Sequence, residues 1–176
     1  MVARDDLRRQ ARAMMLSGAW ATASMADVAA AAGVSRQTLY NEYGSREGLA
    51  TAVAIETAVR FREGTLAAAS READPTHAIA AAMRWALREA RHDPIVVAAL
   101  TDDATGLLPY ITTRSGSVLP PISADLADLI DRPGAPWACE VALRLTVSHL
   151  LSASMSDDEF VDAVSGLLRP LFLGTP

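Results

Sequence analysis

The stretch AAAGVSRQTLYNEYGSREGL, residues 30–49, sets a run of small residues before Gly33 and a hydroxyl at Ser35 ahead of a short polar segment. Glycine enters the left-handed backbone region without a Cβ penalty, so Gly33 is predicted to stop one helix. Ser35 then caps the next by accepting from its unpaired N–H groups. Upstream, Ser24 and Asp27 in SMAD have the spacing of a capping box, which starts the earlier helix. Two short helices joined by Gly33-Val34-Ser35 have the spacing of a helix-turn-helix, a motif that presents its second helix to the major groove. Ala29 and Ala32 allow the helices to approach closely, and Val34, Leu39 and Tyr43 are placed to point inward.

Arg36, Gln37, Thr38, Tyr40 and Asn41 are then left facing outward. Groove recognition uses these residue types: Arg pairs with guanine, Gln and Asn with adenine, Thr touches a thymine methyl, and hydroxyls or a helix N-terminus hold phosphate. The chain has three carboxamides, Gln10, Gln37 and Asn41, and two of them fall here. The bland alternative is a solvated helix face.

Outward from this stretch, hydrophobic residues make up 51% of the 176-residue chain but aromatics only 5%, so the core must be built from Ala, Leu, Val and Ile. That composition predicts an all-α protein. All 16 basic residues are Arg. The net charge of −5 argues against nucleic acid until its distribution is read: residues 1–62 carry eight Arg and six acids, residues 63–176 eight Arg and 15 acids. The positive field lies at the front. A charged amphipathic segment follows Met1, and no long apolar run is visible, so the protein is expected to be soluble and cytoplasmic, with no membrane partner. Cys139, the single cysteine, lies in an apolar pattern and reads as a buried small hydrophobe.

Helical periodicity predicts a first amphipathic helix over residues 4–17, then the two short helices, a long one from residue 46 to about 70, and another from Asp74-Pro75 to about His92. Asp93 and Pro94 open a short apolar segment. Residues 102–123, with Gly106, Pro109, Gly116, Pro120 and Pro121, read as broken helix and loop, followed by a helix over 124–130. The last two helices, over 137–154 and 157–172, are unusually apolar. Their residues Val141, Leu145, Leu150, Phe160, Val164, Leu167, Leu168 and Leu171 are expected to form a self-association face; one deep monomer core is the alternative.

The segment SMADVAAAAGVSRQTLYNEYGSREGL resembles the DNA-binding signature of the TetR family of bacterial transcriptional regulators, over about residues 8–52. The hydroxyl cap, the Ala-Gly-Val-Ser turn, Thr-Leu-Tyr, the aromatic at Tyr43, and Ser-Arg-Glu followed by Leu49 occur in the family's order. The resemblance implies an all-helical homodimer of about nine helices. Its N-terminal helix-turn-helix head would span residues 1–48, and its ligand-binding and dimerisation body 49–176. It implies a regulator, typically a repressor, that binds a palindromic operator and leaves it when a small molecule enters the body. It implies phosphate contacts from Ser24 and Arg46, base or phosphate contacts from Ser35, Arg36, Gln37 and Thr38, and a backbone contact from Tyr40, with Asn41 taking a larger share. Glu42 departs from the family, which often has His there; no contact is assigned to it because phosphate repels a carboxylate.

For the body, an apolar pocket is expected from Met83, Trp85, Leu100, Leu107, Tyr110, Ile111, Ile122, Thr146 and His149, each of which has ordinary core packing as its alternative role. Such a lining suits an apolar effector. No cofactor or metal is expected. His77, His92 and His149 are scattered and no hydrolase, zinc or phosphate-loop motif occurs, so an enzyme is not expected. A helical adaptor that binds protein rather than DNA is the competing function.

Overall fold

The computed structural model describes residues 2–101 and 106–173. Helices α1 (Val2–Leu16), α2 (Met25–Ala31) and α3 (Arg36–Tyr43) form the head. The long α4 (Arg46–Ala69) leads into α5 (Pro75–His92), α6 (Pro94–Thr101), α7 (Leu108–Ile111), α8 (Leu119–Ile130), α9 (Ala135–Leu151) and α10 (Asp157–Leu168). The fold is all-α among the described residues. Among the described residues no helix is long and apolar enough to cross a membrane.

The head closes around Leu7, Ala11, Met15, Trp20, Val28, Leu39 and Leu49, all buried. This core runs on without a break into Val53, Ile95, Ala99, Leu107 and Tyr110 of the body. The predicted division at residues 48 and 49 therefore falls inside α4, whose first turns complete the head. A second core, with Ile79, Leu87, Leu126, Cys139, Val161 and Leu168, fills the far end of the body. Burial pushes the Cys139 thiol up to about 12, as befits an unreactive packing residue.

The caps are those the sequence predicts. The Asp27 N–H donates to Ser24 Oγ at 3.2 Å, while the Ser24 N–H donates back to the Asp27 carboxylate at 2.8 Å. Gly33 has φ 69° in the turn. Where prolines are concerned the structure corrects the prediction. Helix α8 starts at Leu119 rather than 124, because Pro120 and Pro121 sit in its first turn, where a missing N–H costs nothing. The last helix ends at Leu168 rather than 172, giving way to a 3₁₀ turn over Arg169–Leu171 at Pro170. In the last third of α4, Gly64 lies under Trp85: a Cβ there would meet the indole at 2.0 Å, so only glycine lets α4 and α5 pack this closely.

Candidate nucleic-acid interface and cavity

Ser35 Oγ accepts the Thr38 N–H at 3.0 Å and shares a hydrogen bond with Thr38 Oγ1 at 2.8 Å, which fixes the first turn of α3. Beyond it Arg36, Gln37, Tyr40 and Asn41 are exposed, while Leu39 beneath them is fully buried. The Arg36 guanidinium lies over the Tyr40 ring, 5.5 Å from its centre. Gln37 Nε2 donates to Asn41 Oδ1 at 2.8 Å, one helical turn on. With the amides oriented by that bond, Gln37 Oε1 remains as an acceptor and Asn41 Nδ2 as a donor. Such a donor and acceptor complement the major-groove edge of adenine.

Two residues flank this face differently from the sequence-based expectation. Arg46 is half-buried, donates to the Ala23 and Trp20 carbonyls, and stacks on the Trp20 ring at 4.1 Å. In the chain without DNA the side chain thus closes the connection between α1 and α2 and positions the head. Glu42 is ion-paired with Arg4, and the Tyr43 hydroxyl donates to the Arg4 carbonyl at 3.0 Å. Both contacts tie α1 to α3. The carboxylate that departs from the family pattern is thus neutralised from within the head.

In the body, α4 to α9 enclose a cavity with an empty volume of about 770 Å³, solvent at its mouth included. Of the expected pocket residues, Leu107, Tyr110, Ile111, Ile122 and Thr146 line it. Met83 lines a smaller adjoining chamber that shares Ile122 and Thr146 with it and is also lined by Cys139. The other three are corrected. Trp85 is spent edge-on against Phe61 and over Gly64. Leu100 lines neither chamber. His149 is buried, stacked on Phe160 at 4.2 Å and bonded through Nε2 to Asp157 at 3.0 Å. The sequence reading missed Ala54 and Ala58 on α4 and Ala86 and Ala90 on α5, whose small side chains make the room. Their signal is a pair of alanines one turn apart on each of two adjacent helices.

The cavity's polar side chains are already engaged. Thr57 Oγ1 donates to the Val53 carbonyl, Thr146 Oγ1 to the Ala142 carbonyl, and the Tyr110 hydroxyl accepts from Thr51 and donates to the Glu47 carbonyl. Among the described lining residues none is charged.

Comparison with known proteins agrees with this architecture. The family model for bacterial regulatory proteins of the tetR family matches residues 7–53, and that for the bacterial tetracyclin repressor C-terminal domain matches residues 74–170. The chain belongs to the TetR family. It is 37% identical over 126 residues to the HTH-type transcriptional regulator AlkX of Mycobacterium tuberculosis, covering 70% of this chain and 60% of that relative, so it spans less than two thirds of its length. The crystal structure of the TetR family repressor AlkX from Dietzia sp. strain DQ12-45-1b superposes with a TM-score of 0.71 at 25% identity, covering 98% of this chain and 97% of the other. RolR, solved in complex with resorcinol, shares the fold at a TM-score of 0.65 and 20% identity, over 94% and 86% of the two chains. TetR-family proteins are DNA-binding regulators rather than enzymes.

The surface that remains apolar in this TetR-family chain differs in part from the expected self-association set. Phe160, Val164 and Leu168 are buried in the chain's own core and are removed from the set, while Leu150 is half-buried and lines the cavity. Val141 and Leu145 are half-buried, while Leu167 is 73% exposed and Leu171 also lies in solvent. Trp137, 64% exposed and one turn before Val141, joins them. Beside Leu167 on α10 the exposed Ala163 and Gly166 leave room for a close neighbour.

Where α9 meets α10, Arg91 donates from Nε to Asp157 at 2.8 Å and pairs with it again through its terminal nitrogen. These bonds, with a smaller share from His149, lower the Asp157 carboxyl from its ordinary 3.8 to about 2. A carboxyl depressed in the folded state stabilises fully above the unfolded value, and the contribution disappears as pH falls through the folded one. The pair is a third to a half exposed, so about 1 kcal/mol survives solvent screening. In thermal melts, wild type should lead Asp157→Asn at pH 5 and lose that lead between pH 4 and 2.

Proposed function

We propose that this TetR-family regulator is a homodimeric repressor, binding a palindromic operator through α3 of each subunit and released by an apolar effector held in the body. The observation that carries the reading is the pairing of an exposed Arg36-Gln37-Tyr40-Asn41 face with a cavity whose polar groups are already satisfied. The face offers hydrogen bonds to base edges, with Ser24, Ser35 and Thr38 beside it for phosphate. An uncharged, flexible hydrocarbon asks for no hydrogen bond, whereas a carboxylate would find the lining hydroxyl protons already donated within the protein. The AlkX relative from Dietzia is implicated in the biodegradation of n-alkanes, which points to the same class of ligand.

The test is a footprint on DNA flanking the gene, at low and high salt, with and without dodecane, and with resorcinol as the polar control. Protection that weakens log-linearly with salt and is lost with dodecane alone supports the proposal. Absence of DNA affinity at low salt favours the adaptor. Arg36→Ala and Gln37→Ala should each reduce discrimination between operator and mutated sites by about 1–3 kcal/mol, whereas Tyr40→Ala should weaken all sequences alike. Binding titrations on both DNAs separate the two outcomes.

A further inference from the structure

At the corner between α5 and α6 sits a carboxylate that the interface and the cavity leave unexplained. Asp93 is 2% exposed. Its Oδ1 accepts the N–H groups of Ile95 at 2.8 Å and Val96 at 3.1 Å, capping α6. Its Oδ2 faces two cations from elsewhere in the chain: Arg60 of α4, in direct ion contact, and Arg12 of α1 at 3.8 Å. A buried charge held in this way depends strongly on where its counter-charges stand.

These four partners belong to the three parts that regulation has to connect. Ile95 and Val96, which the carboxylate caps, line the cavity. Arg60 is on the helix that joins body to head, and Arg12 is on α1, whose Leu7, Ala11 and Met15 form the head's core together with Ile95 and Ala99. We propose that Asp93 is the ionic joint through which occupancy of the cavity resets the head. An occupant pressing on Ile95 and Val96 moves the first turn of α6, and the carboxylate moves with it. Its attraction to Arg12 and Arg60 then pulls α1 and α4 to a new setting. The inference rests on the reading of the cavity as the effector site, and it concerns a positioning residue, since Asp93 touches neither DNA nor ligand.

Asn caps a helix about as well as Asp, so Asp93→Asn keeps the cap of α6 and removes only the charge. A built-in occupant replaces the unidentified effector: Val96→Phe enlarges a half-buried side chain that lines the cavity. Operator affinity is measured for wild type, Val96→Phe, Asp93→Asn and the double variant, with dimer state and helicity checked for each. Val96→Phe should weaken operator binding by roughly 5- to 150-fold, the usual range of allosteric coupling. In the Asp93→Asn background the same substitution should cost less than about 3-fold, most of the coupling having been removed. Should Asp93→Asn fail to fold, Arg12→Gln replaces it, severing only the arm to α1, with the same expectation.

An equal penalty from Val96→Phe in both backgrounds overturns the proposal, as does a Val96→Phe protein that binds operator like wild type. The effector reading is judged separately, by dodecane titration of wild type. If dodecane has no effect while the charge-dependent Val96→Phe penalty persists, the apolar effector is wrong and the joint stands.

Discussion

Leu167→Glu should split the proposed dimer and leave the subunit folded. The side chain is 73% exposed in the single chain, so the fold loses almost nothing by the change. In a two-fold interface the same substitution occurs on both subunits, and each introduces a carboxylate beside Trp137, Val141 and Leu145 or their symmetry equivalents. An unpaired charge buried in such a face costs about 3–5 kcal/mol, which raises the dimer dissociation constant by at least two orders of magnitude. Operator affinity should fall with it, by about 10²–10⁴, because each head then binds without the other's effective concentration. Sedimentation equilibrium and operator titration, with circular dichroism as the control, read the three quantities. A Leu167→Glu protein that remains dimeric places the interface elsewhere.

Leu39→Ala attacks the head from within. Leu39 is fully buried beneath the exposed side chains of α3, against a core shared with Leu7, Val28 and Leu49. Truncation of such a leucine costs about 2–5 kcal/mol through lost burial and the cavity left behind. That is a large part of the 5–15 kcal/mol by which a domain of this kind is stable. Because the head core continues into Val53, Ile95 and Tyr110, the loss should show in global urea unfolding as well as in operator binding. Sequence-independent DNA affinity should fall together with specificity, in contrast to Arg36→Ala. Unchanged unfolding with weakened binding would mean that Leu39 acts through the DNA face rather than the core.

The two experiments probe parts of the molecule that were unequally visible before folding. The head was legible because its determinants are local: the capping box at Ser24, the turn at Gly33, the cap at Ser35 and the inward Leu39 all lie within a few turns of one another. Arg46 was not, since its partners Ala23 and Trp20 are more than twenty residues away and its spacing along the helix carries no mark of them. In the body, periodicity located α9 and α10 but could not apportion their wide apolar stripes. Leu167 and Leu168 are adjacent in the chain, yet one is exposed and the other is 2% exposed in the core.

Residue order alone therefore determined an all-helical chain with a DNA-reading motif at its front, because caps, turns and 3.6-residue periodicity act between near neighbours. Tertiary packing alone decided where the cavity lies, which leucines remain for a partner, and that Asp93 meets Arg12 and Arg60. A cavity is a volume left between helices by small side chains such as Ala58 and Ala90, and a buried ion pair joins residues far apart in the chain. Both come into being only when α1, α4, α5 and α6 are brought together.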